Sequence, residues 1–116
     1  MSFLLVSCDN RQTKSLLQDV ETYIQERPDS ALRVLRKVDS LTLNTKSLRA
    51  RYSLLFAMAL DKNYIDTTDV SVVMPAVNYY KRHGNPDERL KAYFYLGRIY
   101  LNNKRYDKAA VAYSLA

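Results

Sequence analysis

The end of the chain places large and small side chains at the spacings expected of two closely packed helices. Six positions carry the pattern: Tyr93, Leu96, Gly97, Tyr100, Ala109 and Tyr113. The first four recur at helical spacings of three and four, and the last two lie four residues apart in a following segment. Because Gly97 and Ala109 are small, two helix axes can approach there while the aromatic rings fill the space on either side. The pattern therefore predicts a tight helix hairpin.

The rest of the chain also has a composition and spacing that predict packed helices. With 2 Gly and 3 Pro in 116 residues, there are too few turn formers for an all-β domain. Apolar residues recur at helical spacings along residues 13–116, and the connections between these segments are short. We therefore predict an all-α fold of about six helices, arranged as antiparallel hairpins over about 13–40, 46–84 and 86–116.

The clearest boundary lies between the fourth and fifth helices. Gly84 stands where a left-handed helix cap is expected. Asn85 can cap the next helix, with Pro86 at its first position. Thr45 can cap the third helix in the same way.

The hairpin pattern resembles the tetratricopeptide (TPR) repeat, in which an aromatic residue, Leu-Gly and Tyr are followed by Ala and a second aromatic residue. Tyr93 and Tyr113 stand where the family usually has Trp and Phe. The resemblance covers roughly residues 13–116 and is strong only over 90–116. It implies hairpins stacked as a right-handed solenoid, with a protein or peptide ligand in the groove lined by the first helix of each pair.

The first residues resemble the lipobox of bacterial lipoproteins, whose cysteine thiol is lipidated. The resemblance rests on Leu5-Val6-Ser7-Cys8, although no Lys or Arg precedes the short apolar run. Residues 1–12 are therefore interpreted as a signal remnant or a disordered N-terminus. The whole chain is also similar to the N-terminal part of Gram-negative TPR lipoproteins and signalling proteins. These resemblances imply a lipid anchor at Cys8 on a periplasm-facing envelope protein, with a cytoplasmic location as the alternative.

Residue types that carry catalysis are scarce. The chain has one histidine, His83, and one cysteine, Cys8, so no Cys/His cluster has the spacing of a zinc site. Two glycines also exclude the glycine-rich loops that hold nucleotide phosphates. We therefore expect no catalytic residue, no cofactor and no metal, and a protein that is not an enzyme.

A stripe on the fifth helix is the candidate peptide-binding surface. Its four members lie at spacings of three and four and combine cations with rings: Lys91, Phe94, Tyr95 and Arg98. Such a stripe could hold an extended peptide through ion pairs and cation–π contacts. The alternative interpretation places Phe94 and Tyr95 in the core between neighbouring helices.

The formal charge of +6 leaves a second class of ligand open. A basic helical repeat could bind nucleic acid, or the chain could be a fragment of a cytosolic transcription regulator. We favour a protein ligand because the basic residues are spread along the chain. The sequence also stops inside the TPR motif, and Val111 and Leu115 leave the sixth helix apolar on more than one side. We expect a fragment of a longer array, in which this open helix either mediates self-association or frays.

Overall fold

The structure is a computed structural model that describes residues 10–116, so Cys8 and the lipobox lie outside the described residues. The described residues form six α-helices and no β-strand, which confirms the all-α prediction. The helices are α1 (Arg11–Tyr23), α2 (Pro28–Leu35), α3 (Lys46–Lys62), α4 (Met74–His83), α5 (Pro86–Asn102) and α6 (Tyr106–Leu115). Short 3-10 turns at Ser40–Thr42 and Val70–Val72 precede α3 and α4.

Consecutive helices pack as antiparallel hairpins. In the last pair, the ring of Phe94 lies 5.8 Å from that of Tyr113, and the ring of Tyr100 lies below Lys108. Contacts therefore run in opposite order along α5 and α6. The same reversal joins α2 to α3, because the hydroxyl of Tyr52 donates to the carbonyl of Leu35 while residues near the far end of α3 reach the start of α2.

The odd-numbered helices lie side by side and point the same way. The helix α1 packs on α3, and α3 packs on α5. Glu21 pairs with Arg51 between α1 and α3, and Asp61 pairs with Arg98 between α3 and α5. The side chain of Asn10, before α1, donates to that of Asn44, before α3, and Glu21 meets Arg51 further along both helices, so α1 and α3 are parallel. The start of α3 lies beside the end of α4, and the short turn after α4 reverses the chain again, so α5 is parallel to α3.

Asparagine side chains tie each hairpin to the one before it. The amide of Asn63 donates to the carbonyl of Pro28 at 2.9 Å, and the amide of Asn102 donates to the carbonyl of Thr67 at 3.1 Å. Both bonds span 35 residues and lie where an odd-numbered helix ends. The two bonds therefore link neighbouring hairpins over the same distance in sequence.

One core of buried aliphatic side chains runs through the layers. The largest fully buried members come from α1, α2 and the segment before α4: Leu17, Val20, Ile24, Leu35 and Val73. Burying a side chain of this size contributes about 1.5–3 kcal/mol. The core is continuous from α1 to α6, because Ala112 of α6 belongs to the same cluster.

The helix starts follow the sequence signals, whereas the predicted glycine cap does not form. The Thr45 side chain accepts from the Leu48 amide, and Asn85 forms a reciprocal capping box with Glu88. The prediction of a left-handed Gly84 was wrong, because its φ of −87° and ψ of 157° are extended. Glycine is needed there for space instead: a Cβ atom would lie 2.8 Å from the carbonyl oxygen of Tyr80.

Two other residues take the left-handed conformation. Tyr64 follows the end of α3 with φ 60°, and Lys104 follows the end of α5 with φ 59°. Around them, the amide of Ile65 donates to the carbonyl of Leu60, and the amide of Arg105 donates to that of Tyr100. This pairing is the Schellman pattern of helix ends. No helix of the described residues has the length and apolarity that crossing a bilayer would require.

Candidate peptide-binding groove

A groove of about 250 Å³ is formed by the end of α1, the middle of α3 and the start of α5. We call it the inner groove. Its lining comes from all three helices, from Tyr80 of α4 and from the cap of α5: Glu21, Ile24, Gln25, Arg51, Leu54, Leu55, Met58, Tyr80, Asn85, Asp87, Glu88 and Lys91. The first helices of the three hairpins therefore build one shared surface.

The floor of the inner groove is apolar. Ile24, just after α1, and Leu54, Leu55 and Met58 of α3 are all less than 10% exposed. Arg51, Leu54, Leu55 and Met58 follow spacings of three, one and three, so they form one stripe along α3. A side chain that enters the groove meets a hydrocarbon surface already held in place by the core.

The rim of the inner groove is charged and internally paired. Glu21 and Arg51 approach to 3.7 Å, and Asp87 and Lys91 approach to 3.1 Å within one turn of α5. Exposed pairs of this kind contribute roughly 0–1 kcal/mol to stability. They can therefore exchange partners with a bound ligand at little cost to the fold.

Tyr80 places a phenol at the end of the groove where α5 begins. The residue is 6% exposed, so its ring is part of the core while its hydroxyl faces Arg51. Burial, with a smaller contribution from the charge of Glu88, raises the pKa of Tyr80 to about 12. The hydroxyl is therefore a neutral hydrogen-bonding group at ordinary pH.

The four residues of the predicted stripe on α5 do not share one surface in the structure. Lys91 lines the inner groove. Arg98 instead donates from Nε and Nη2 to one carboxylate oxygen of Asp61, both at 3.0 Å, and this bonding raises the pKa of the guanidinium. Tyr95 is 8% exposed, and burial followed by the charge of Asp61 raises the pKa of its phenol.

The fourth member of the stripe lies at the junction with α6. Phe94 is 40% exposed, and its ring meets those of Tyr95 at 5.1 Å and Tyr113 at 5.8 Å. Of the four predicted residues, only Lys91 lines the groove, while Phe94 offers a ring edge beside α6. Tyr95 and Arg98 hold α5 in place.

The repeat-packing residues lie together where α5 and α6 meet. A Cβ atom at Gly97 would lie 2.5 Å from Cε1 of Tyr113, so the ring covers the glycine directly. Leu96 and Ala109 are buried, while Tyr93, Tyr100 and Tyr113 are partly buried around them. The glycine therefore permits the close approach expected from the sequence.

Sequence reasoning missed most of the groove. Glu21 of α1, the following residues Ile24 and Gln25, and Tyr80 of α4 all line the groove. The signal on α3 was present as the stripe through Arg51 and Met58. It was obscured because α3 buries nine residues and is apolar on several sides.

Within residues 10–116, no group of three or more His, Cys, Asp or Glu side chains is placed to hold a metal ion. His83 packs its ring 4.8 Å from that of Tyr79. Comparison with known proteins gave no match among family models, curated proteins or solved structures.

Proposed function

We propose that this chain is a non-enzymatic protein-interaction module that binds a segment of a partner protein in the inner groove. The observation that carries the proposal is the apolar floor of Ile24, Leu54, Leu55 and Met58 beneath a charged, open rim. A partner segment would insert an apolar side chain and exchange ion pairs with Arg51 and Lys91.

The arrangement of the hairpins supports a TPR-like architecture as part of this proposal. Stacked repeats place their first helices parallel to one another, with each second helix antiparallel to its first. The chain has this arrangement, and hydrogen bonds of equal span join its hairpins. The right-handed solenoid remains part of the proposal. It agrees with the close contact of Gly97 and Tyr113, which the TPR pattern demands.

The charges of the inner groove favour a protein over a nucleic acid there. Three carboxylates line it, from Glu21, Asp87 and Glu88, against the two cations Arg51 and Lys91. A phosphate backbone would meet more repulsion than attraction in such a groove. A peptide with mixed charge and an apolar anchor fits both the rim and the floor.

The test uses a peptide selected from a phage-displayed random library against the complete chain. A photo-crosslinking residue at Gln25, which is exposed in the groove, should capture this peptide. The same residue at Arg33, which is exposed on α2, should not capture it. Capture at Arg33 with none at Gln25 would contradict the inner groove as the binding site.

A charge reversal gives a second measure of the same site. Lys91→Glu should weaken binding of the selected peptide by about tenfold, or about 1.4 kcal/mol. The matched control is Lys104→Glu, which makes the same charge change at an exposed residue outside the groove. Equal affinities for the two variants would rule out a specific contribution from Lys91.

We also propose that Cys8 carries a lipid anchor and that the module faces the periplasm of a bacterial envelope. The support is the sequence Leu5-Val6-Ser7-Cys8 followed at once by a helical domain. Mass spectrometry of the full-length protein from its native membrane should show acyl chains on Cys8. An unmodified thiol within an intact N-terminal peptide would leave a cytoplasmic location as the better interpretation.

A second copy of the chain is the proposed partner of the outer side of α6. Val111 and Leu115 lie one turn apart there and are 60% and 56% exposed. At the other end of the stack, α1 exposes Lys14, Gln18 and Thr22, so head-to-tail contact would bury polar groups against apolar ones. Face-to-face pairing of two α6 helices buries apolar surface on both sides.

Sedimentation velocity over a range of concentrations tests this pairing. The wild-type chain should dimerise, and the double variant Val111→Lys/Leu115→Lys should stay monomeric. Gln18→Lys/Thr22→Lys is the control, since it adds the same two charges at exposed positions of α1, at the other end of the stack. A wild-type chain that is monomeric at every concentration would contradict self-association through α6.

A further inference from the structure

The hairpin formed by α3 and α4 carries a second concavity, which differs from the inner groove in its charge. It has a volume of about 490 Å³ and lies between the start of α3 and the end of α4. We call it the outer cleft. Arg49 lines it while Arg51 lines the inner groove, and two residues apart in a helix they point about 160° away from each other. The two sites therefore lie on opposite sides of α3.

Positive charge dominates the outer cleft. Its lining includes Lys46, Arg49, Lys81, Arg82 and His83, and none of the described residues that line it is acidic. All five are exposed, and within residues 10–116 no carboxylate forms an ion pair with any of them. By contrast, Arg51, Lys91 and Arg98 each have an acidic partner.

Helix stability accounts for the basic residues of α4 but not for those of α3. Lys81, Arg82 and His83 occupy the last turn of α4, where cations stabilise the negative end of the helix dipole. Lys46 and Arg49 occupy the first turn of α3, which contains no acidic residue. Cations are unfavourable at that end of a helix. An anionic ligand would offset the repulsion, so the placement points to binding rather than to stability.

The shape of the outer cleft favours an extended chain over a small enclosed molecule. Its cationic side chains stand in solvent, whereas small-molecule sites bury most of the ligand surface. Arg49 donates from one guanidinium nitrogen to the carbonyl of Leu43, which fixes the side chain and leaves further N–H groups available. The ring of Tyr79, which lies 4.8 Å from that of His83, adds an aromatic surface to the cleft.

From this geometry we propose that the outer cleft binds an acidic segment of a partner protein, rich in Asp and Glu. Guanidinium groups bind carboxylates through paired hydrogen bonds, and Arg49 and Arg82 present such groups from two different helices. The cations occupy one turn of each helix. That patch suits a few carboxylates, whereas a nucleic acid strand follows a longer basic groove. This surface is separate from the inner groove and does not depend on the function proposed for it.

The test measures fluorescence anisotropy of a labelled 12-residue peptide of alternating Glu and Ala at low salt. Two further probes are the same peptide with Gln in place of Glu and a single-stranded oligonucleotide. Wild-type protein should bind the Glu peptide at least tenfold more tightly than the Gln peptide. It should also bind the Glu peptide more tightly than the oligonucleotide.

Variants then locate the site. Arg49→Glu/Arg82→Glu should weaken binding of the Glu peptide by more than tenfold, with an unchanged circular dichroism spectrum because both side chains are exposed. Lys104→Glu/Arg105→Glu, with the same change of net charge at another exposed position, should weaken it less than threefold. The proposal is overturned if both double variants lose affinity equally, if the Glu and Gln peptides bind alike, or if the oligonucleotide binds more tightly.

Discussion

The second and third hairpins of this chain have helices of equal length but differ in the connection between those helices. Their first helices, α3 and α5, both contain 17 residues, and their second helices, α4 and α6, both contain 10. The connection within the hairpin has 11 residues (63–73) in one and three (103–105) in the other. The comparison shows that helix lengths and junctions can stay constant while the turn inside a hairpin changes.

The two connections begin in the same way and then diverge. Tyr64 and Lys104 are both left-handed immediately after their helices. The shorter connection then enters α6 at once, and the ring of Tyr113 closes over Gly97. The longer one adds the turn Val70–Val72, and the buried hydroxyl of Ser53 fastens it. A side-chain hydrogen bond thus stabilises the longer connection, whereas packing of an aromatic ring on a glycine stabilises the hairpin with the shorter one.

The largest expected effect is at the glycine of the third hairpin. Gly97→Leu should lower the free energy of unfolding by about 2–4 kcal/mol, because overpacking at the Tyr113 ring forces α5 and α6 apart. Urea denaturation measures this loss. In a Tyr113→Ala background the same substitution should be much less harmful, because the ring is gone. An equal loss in both backgrounds would mean that the ring does not cause the effect.

Ser53 is the corresponding position to change in the second hairpin. Its hydroxyl donates to the carbonyl of Val72 at 2.6 Å and accepts from the amide of Ala76 at 3.4 Å. Ser53→Val should destabilise the chain by about 1–3 kcal/mol, because the carbonyl of Val72 loses its side-chain partner, whereas the amide of Ala76 still donates to the carbonyl of Val73. Thermal denaturation beside Ser47→Val, an exposed serine of the same helix, gives the comparison. Identical melting of the two variants would show that the bond contributes nothing.

Tyr80 lies four residues after Ala76, just as Tyr113 lies four residues after Ala109. Because Tyr80 is buried, the stability of the fold should depend on alkaline pH. Its pKa is about 12 in the folded chain and near 10 when unfolded. The folded state therefore keeps the proton more tightly, so stability is full below pH 10 and falls as the pH rises toward 12. We expect a loss of about 1–2 kcal/mol over that interval. Tyr80→Phe should flatten the profile, and an unchanged slope would contradict this assignment.

The smallest effects are expected at the caps of α3 and α5. Thr45→Ala removes one cap bond, whereas Asn85→Ala disrupts a capping box in which Glu88 returns a second bond. We expect losses of about 0.5–1 and about 1–2 kcal/mol, respectively. Urea denaturation of both variants measures the difference. A larger loss at Thr45 would reverse the ranking of the two caps.

The sequence predicts local features of the fold better than it predicts the groove. Caps at Thr45 and Asn85 and the contact of Gly97 with a ring follow from nearby residues, and the structure contains them. The extended Gly84 was missed because its need for space comes from the side chain and carbonyl of Tyr80. The groove was missed for a similar reason, since Ile24 and Met58 meet only after three helices pack.

The asparagine bonds between hairpins carry a consequence for cooperativity. Asn63 and Asn102 each reach back 35 residues, so every hairpin is coupled directly to its predecessor and not to the whole. Chains coupled only to nearest neighbours can lose an outer unit while the rest stays folded. Amide exchange should therefore be fastest in α6 and slowest in α3, and uniform rates would argue for a single cooperative unit. Both bonds involve the connection after α3 (63–73), which Asn63 begins and in which Thr67 lies, so the middle hairpin decides whether the two outer ones are coupled.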